Sequence, residues 1–391
     1  VQIEGLEIRN YRLFRHARLD RLPSLAVFVG ANGSGKTTLF DVFSFLKESL
    51  THNVAQAVAR RGGFRELVSR GQEGPIEVTV KFRESGGRLA TYQLAVTEEE
   101  GVPVVAREIL KFRRGQTGKP WHFVDFSRGR GTAIAKEPAL GQKDAEAERE
   151  EHVLDDPSLL AIKGLGQFKQ FRVAAEFRSI LENWHISDFH IQEARPSAEA
   201  GEAAHLSTRG ENVAQVAQFL FRHHRPTFDR ILQAMHRRVP GVTGVEAKEM
   251  EDGRVVLRFQ DGSFKDPFTA RFVSDGTIKL FAYLVLLYDP RPHPLLAIEE
   301  PENQLYPEVL AELVEEFRDY ARRGGQVLAS THSPNLLNAT NLEEVYWLSK
   351  RQGFATIHKA SDSELLRSLV AQGDPPGTLW KQGFLEGAGL S

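Results

Sequence analysis

The residues Leu25-Ala-Val-Phe-Val-Gly30-Ala-Asn32-Gly33-Ser34-Gly35-Lys36-Thr37-Thr38 decide the fold. Leu25 to Val29 is a short unbroken apolar run, as expected for a strand buried on both faces of a parallel sheet. Gly30, Gly35, Lys36 and Thr37 occupy the fixed places of G-x-x-x-x-G-K-[ST], and Leu39, Val42, Phe43, Leu46 and Leu50 recur at helical spacing. Strand, glycine loop and helix form the context in which this pattern grips phosphate. Gly33 and Gly35 let backbone N–H groups turn inward around an anion, and the helix that begins near Lys36 points its positive end at the same spot. Lys36 is placed to neutralise β- and γ-phosphates and the Thr37 hydroxyl to ligate Mg²⁺, with Asn32, Ser34 and Thr38 completing the loop. A plain glycine turn would not need an apolar strand before it and an amphipathic helix after it. The stretch implies a nucleoside triphosphate site.

Composition narrows the rest. The 391 residues can bury one large core or two, and the formal charge of -2 marks no global field for nucleic acid or membrane. There are no cysteines, which excludes disulfides and thiolate or zinc–sulfur chemistry and fits a reducing compartment. No apolar run reaches the roughly 20 residues that cross a bilayer, and no signal-peptide pattern opens the chain, so the expectation is a cytoplasmic protein without a membrane partner.

Outward from the phosphate loop, residues 2–9 alternate as a half-buried strand, and residues 75–83, 89–97 and 104–113 alternate as an antiparallel meander. Between Arg113 and Arg130, cations (Arg113, Arg114, Lys119, Arg128, Arg130) interleave with Trp121, Phe123 and Phe126. That pattern fits either a nucleic-acid contact or a hairpin with solvated tips, and the hairpin is the simpler reading. Residues 144–156 are acidic and read as exposed helix or loose chain, and helical spacing resumes from Phe168 to Trp184. Two helices are expected over 211–239, then a hairpin around Asp252-Gly253. His185, His190, His205, His223 and His224 show no i, i+4 pair beside a carboxylate, so they read as surface or packing residues rather than metal ligands.

Pro294-Leu-Leu-Ala-Ile298-Glu299-Glu300 is a buried strand ending in two acids, where a phosphate-loop fold places its second Mg²⁺ contact. Glu299 would hold the metal through water and Glu300 would act as general base on the attacking water. After a helix over 307–323, the strand Gln326 to Thr331 delivers His332 to the same sheet edge, placed to read a γ-phosphate.

The ordered set of the phosphate loop, Phe272-Val-Ser274-Asp275-Gly276-Thr277, Leu295-Leu-Ala-Ile-Glu-Glu-Pro-Glu302 and Ser330-Thr-His332-Ser-Pro resembles the ABC-type ATPases of the SMC/RecF kind. Within them it is most similar to the stand-alone AAA_21 ATPases, relatives of the ATPase part of OLD-family nucleases. Ile8-Arg-Asn-Tyr-Arg-Leu-Phe resembles the start of RecF and SMC heads. The resemblance implies an α/β phosphate-loop NTPase: an ABC-type head with a mixed central sheet, an antiparallel β lobe and a helical insertion. The implied layout is a single head over 1–391, with N-terminal strands and phosphate-loop lobe 1–70, β lobe 71–130, helical and hairpin insertion 131–270, a signature, acid and histidine lobe 271–350, and a C-terminal extension 351–391.

It further implies that Ser274, Asp275 and Gly276 form a signature segment contacting the γ-phosphate held by a second copy, although by themselves they read as a turn or N-cap. Cofactors would be ATP and Mg²⁺, and the partner a second copy in an ATP-dependent homodimer. Arg12 and the Arg60–Gly63 loop are expected near the nucleotide, and Gln192 is the candidate for the metal-sensing glutamine. Relatives read Glu-Asn-Gly-Leu-His-Pro after the acids, whereas this chain has Gln304 and Tyr306. The roughly 55 residues after the His332 motif are expected to be too few for a nuclease domain. Two roles follow: a DNA-engaged motor in repair or genome defence, or an ATP-gated module that controls a separately encoded effector. A transporter subunit or a small-molecule kinase fits less well, having neither membrane partner nor acceptor lid to point to.

Overall fold

Alternation in the first third of the chain produces an eight-stranded antiparallel sheet. In Ile76–Arg83, for example, Ile76, Val78, Val80 and Phe82 are buried while the residues between them are more open. The sheet runs in space as Phe14–Asp20, Ile3–Tyr11, Ile76–Arg83, Leu89–Glu99, Val102–Phe112, Trp121–Ser127, Arg130–Ala133 and Glu150–Val153. The computed structural model describes residues 2–83, 87–112, 120–134, 148–199 and 201–388. Arg113, Arg114 and Lys119 of the basic stretch, and 144–147 of the acidic one, lie outside the described residues.

The chain divides into two units, residues 1–184 with 341–391, and residues 185–340. In the first, helix Arg172–Glu182 lays Phe177 on the antiparallel sheet, its ring 4.4 Å from Phe82 and 4.6 Å from Tyr92. The phosphate-loop strand Leu25–Val29 is buried at every residue and runs parallel to Val345–Arg351, with Phe28 opposite Tyr346. Helix Lys36–Thr51 follows. In the second unit, His185–Ser187, Leu296–Ile298 and Val327–Thr331 lie side by side and parallel, Ile298 being opposite both Ser187 and Ala329. Helices Val213–His223 and Arg225–Arg238, the hairpin Val242–Glu249/Arg254–Asp261, and helices Asp275–Leu287 and Leu310–Arg322 complete it. No helix among the described residues is long and apolar enough to cross a membrane.

One open reading is decided and two sequence expectations change. The stretch around Arg128 is the hairpin that was the simpler reading: Trp121, Phe123 and Phe126 are buried, Phe123 stacks on Phe112 at 4.0 Å, and Arg128 and Arg130 are exposed at the turn. The described part of the acidic segment is a strand, Glu150–Val153, antiparallel to Arg130–Ala133, because its backbone completes the edge of the sheet. Phe168 is 59% exposed and precedes the helix, which begins only at Arg172.

Two backbone and burial features carry measurable energies. Glu108 is fully buried; its carboxylate accepts the N–H groups of Ala161 (2.5 Å) and Ile162 (3.2 Å) and the Tyr92 hydroxyl (3.0 Å), tying the helix Ala161–Leu165 to the sheet. Burial outweighs these bonds and pushes its carboxyl up to about 7. Gln304 has φ 66 in the left-handed region, where a Cβ is unfavourable and glycine is the usual occupant.

Because the native state holds a proton on Glu108 that the unfolded chain releases near its ordinary pKa, stability falls as pH rises from about 4.5 to 7. Denaturation midpoints measured across that window should drop in the native sequence relative to Glu108→Gln, by on the order of 3 kcal/mol in total. Parallel pH profiles for the two proteins would show that Glu108 stays ionised. Gln304→Gly should raise unfolding free energy by about 0.5–1 kcal/mol, the difference between left-handed strain and glycine's entropy; a lower midpoint would mean the side chain has a compensating contact.

Candidate nucleotide site

The phosphate loop is built from backbone that only glycine permits. A Cβ on Gly30 would lie 2.6 Å from Ser34 Oγ and 2.8 Å from the Leu348 carbonyl, and one on Gly35 would meet Ala355 Cβ at 2.9 Å. Gly33 (φ 74) and Gly35 (φ 111) turn the chain so that Gly35 caps the helix Lys36–Thr51. Lys36 is nearly buried, and its ammonium donates to the carbonyls of Gly30 (2.8 Å) and Ala31 (3.2 Å), which arches the loop over its own lysine. Ser34 Oγ is buried and makes no hydrogen bond among the described residues. A buried hydroxyl inside an arch of N–H groups with a lysine at its base suits a phosphate oxygen. Thr37 and Asn32 are exposed at the loop's outer side, and Thr38 is buried behind it.

Next to this loop, arginines pair with acids of the following helix. Arg12 pairs with Asp41 on the following helix at 2.9 Å, and Arg61, 7% exposed, bridges Asp41 (2.8 Å) and Glu48 (2.9 Å). Tyr11 donates to the same Asp41 at 2.7 Å, and burial together with the Asp41 charge drives its phenol pKa well up. The Arg60–Gly63 loop is thereby fixed to the first helix by charge-assisted bonds.

In the second unit the parallel register brings the acids and the histidine together. Glu300 follows the strand Leu296–Ile298, and its N–H donates to the Ser330 carbonyl (3.1 Å), one step before His332 leaves the neighbouring strand. Glu300 Oε1 lies 3.2 Å from His332 Nε2, and Oε2 accepts from Asn303 Nδ2 at 2.8 Å. Its φ of 46 turns the chain sharply at this residue. Glu299 is half-buried beside it. Gln192, on the short helix Ile191–Ala194, is exposed just past the carboxyl end of His185–Ser187, hence at the same edge as the acids.

Ser274, Asp275 and Gly276, the segment expected to act as a signature, begin the helix Asp275–Leu287. Ser274 is its N-cap, accepting from Thr277 N–H at 3.3 Å, and is exposed. Gly276 must be glycine, since a Cβ there would stand 2.6 Å from the Gln304 carbonyl. Asp275 is held by Arg195, which also donates to the carbonyls of Ala270 (2.8 Å) and Arg271 (3.0 Å).

Four residues that the sequence reading passed over organise this region. Glu302 accepts from Thr331 Oγ1 (2.8 Å) and the His332 N–H (2.6 Å), fixing the histidine's backbone. Asn303 orients Glu300, and its carbonyl accepts from Lys279 Nζ at 2.8 Å, joining the acid loop to the signature helix. Burial pushes Lys279 down to about 8, against the pull of Glu302 and Glu300. Glu302 and Asn303 were findable as the polar residues directly after the acids; Lys279 and Arg195 had no local signal.

Comparison with known proteins fits this geometry. Residues 25–338 match the AAA_21 family, described as "AAA domain, putative AbiEii toxin, Type IV TA system". The DNA replication and repair protein RecF of Heliobacterium modesticaldum is 36% identical over 56 residues, 14% of this chain and 15% of that protein. RecF of Corynebacterium jeikeium is 25% identical over 161 residues, 38% of this chain and 37% of that protein. The matched regions thus span well under half the length of these relatives. An SMC head solved with the C-winged helix domain of ScpA superposes with a TM-score of 0.52 at 13% identity, covering 92% of this chain and 98% of that one. An SMC head with an extended coiled coil, bound to the C-terminal domain of ScpA derived from Pyrococcus furiosus, gives 0.51 at 13% identity, with 95% and 100% covered. The architecture is that of an ABC-type phosphate-loop head. With its family match running from the phosphate-loop strand to beyond His332, the chain belongs to the AAA_21 family.

Proposed function

We propose that this chain binds and hydrolyses ATP, and that two copies close head to tail around two nucleotides to drive a conformational cycle. The observation that carries the reading is the Glu300 carboxylate held between His332 Nε2 at 3.2 Å and Asn303 Nδ2 at 2.8 Å. A carboxylate oriented on both oxygens, on a turn in the left-handed region, is suited to take a proton from a water, and such backbone strain concentrates at working sites. His332 would sense the γ-phosphate, and Glu302 and Asn303 keep acid and imidazole in register. Asn32, Gly33, Ser34, Gly35, Lys36 and Thr38 would cradle the triphosphate. Mg²⁺, held by the Thr37 hydroxyl and by Glu299 through water, with Gln192 as a further candidate, would offset phosphate charge.

Ser274, Asp275 and Gly276 would read the γ-phosphate bound to the second copy. Ser274 and Gly276 line an open groove with Arg237, Gln304 and Tyr306, so a hydroxyl and a cation share one exposed concavity. Each nucleotide then acts as interfacial glue until hydrolysis releases it. A role in DNA maintenance or genome defence draws on the RecF matches, and kinship with the ATPase part of OLD-family nucleases belongs to the same reading. The burial of Trp121, Phe123 and Phe126 favours a second role, an ATP-gated module acting on a separately encoded effector, because it removes the aromatic base-stacking surface.

Glu300→Gln should lower ATP turnover by roughly 100-fold or more while ATP binding persists, and should trap an ATP-bound dimer on size exclusion with light scattering. A variant that stays monomeric in ATP would remove the head-to-tail reading, and one with normal turnover would remove Glu300 as base. Specific ATPase activity should fall on dilution through the dimer dissociation range. If added duplex DNA raises that activity with a steep salt slope, DNA is the substrate; unchanged activity at low salt assigns the effector role.

A further inference from the structure

At the sheet edge opposite Glu299 and Glu300 we propose a metal centre in which His205, Asp289 and His293 bind a transition-metal ion of the zinc class. His205 is distant in sequence from the neighbouring Asp289 and His293, yet the three offer ligand atoms that all lie within 4.8 Å of one another. His205 Nδ1 is 2.6 Å from Asp289 Oδ2, and the His205 and His293 rings are 5.2 Å apart. His185 packs its ring 5.1 Å from His293. The sequence reading took His185 and His205 as separate packing or surface residues and did not consider His293; chain topology, rather than helical spacing, brings their rings together.

Electrostatics favour a cation here. Asp289 is buried at 4% exposure and lies two residues beyond the helix Asp275–Leu287, at the negative end of its dipole. A buried carboxylate in that position needs positive charge close by. Arg323 directs its guanidinium at the carbonyls of Leu287 and Asp289, and the ion pair on the carboxylate itself is with His205. The donor set is also held in place. Tyr320 donates to the His293 carbonyl at 3.0 Å, Asn212 to the His205 carbonyl at 3.0 Å, and the Arg291 N–H to Asp289 Oδ1 at 2.8 Å, leaving Oδ2 to face the imidazoles. Such supports orient first ligands in metal sites. The His205 side chain is 38% exposed, which gives an ion and a completing water a way in.

Two imidazoles and one carboxylate select Zn²⁺ and its neighbours over Mg²⁺, which prefers an all-oxygen shell. His185 and His293 stand at or before the amino ends of the strands His185–Ser187 and Leu296–Ile298, the edge opposite Glu299 and Glu300. The ion would therefore act as a clip, fastening the segment around His205 to the end of the signature helix.

The test uses nucleotide-free full chain, stripped with EDTA, desalted, and titrated with ZnCl2 by calorimetry and with CoCl2 by visible absorption. The expected result is one tight equivalent per chain, a Co²⁺ d–d band, a raised thermal midpoint, and no competition from excess MgCl2. His205→Gln, at an exposed ring that the fold can lose, should weaken binding at least about tenfold and remove the band, and His293→Gln should do the same. The absence of a tight equivalent in the native sequence would overturn the site. So would equal Zn²⁺ affinity in a folded His205→Gln protein, or displacement by Mg²⁺.

Discussion

Parallel strand register is the constraint on which the Glu300 and His332 juxtaposition rests. With Ile298 opposite Ala329, the chain leaving one strand and the chain leaving its neighbour emerge side by side. The Glu300 N–H extends that ladder by one bond to the Ser330 carbonyl, and the His332 imidazole is then within reach of the Glu300 carboxylate. Shifting the register by one residue would invert which side chains face the core and would part acid from histidine. The three strands are buried throughout or nearly so, because a parallel sheet is covered on both faces, and that burial makes the register hard to slip.

From this junction a short loop carries the geometry to the signature helix. Glu302 pins the His332 backbone, Asn303 orients Glu300 and receives Lys279, and the Gln304 carbonyl packs against Gly276 so closely that no side chain fits. Movement of the acid loop must therefore displace the first turn of the helix that begins at Ser274. Lys279 is largely buried between these elements, where its charge answers Glu302 and Glu300. On the far side of the same helix, Asp289 ends the chain of contacts in the His205 and His293 cluster.

The left-handed turn at Gln304 shows how an unfavourable backbone conformation is held in place. Glycine is the usual occupant of such a conformation, and the backbone of this chain keeps it with a glutamine in place. The conformation survives because its carbonyl is wedged at Gly276 and the preceding carbonyl is held by Lys279. The neighbouring Tyr306 is exposed, as is Phe272 beside the signature segment. Tyr306 lines the groove that also holds Ser274 and Gly276.

How much was legible in the sequence follows from how far apart the cooperating residues lie. The phosphate loop was readable because its strand, glycines, lysine and helix are contiguous, and each needs only its neighbours to adopt its shape. Alternation in 76–83 and 89–99 likewise fixed strands, since burial on one face acts at period two. Tertiary structure alone decided the rest. Of the two readings open for the stretch around Trp121, Phe123 and Phe126, the neighbouring strands decided for the hairpin by burying the rings, and Arg12 and Arg61 meet at Asp41. Arg195 on Asp275, Glu302 on His332, and His205 with Asp289 and His293 join residues some thirty to ninety positions apart. Composition and periodicity report what a residue prefers to be near, water or core. Only the closed chain states which residue it meets, because those encounters are set by topology.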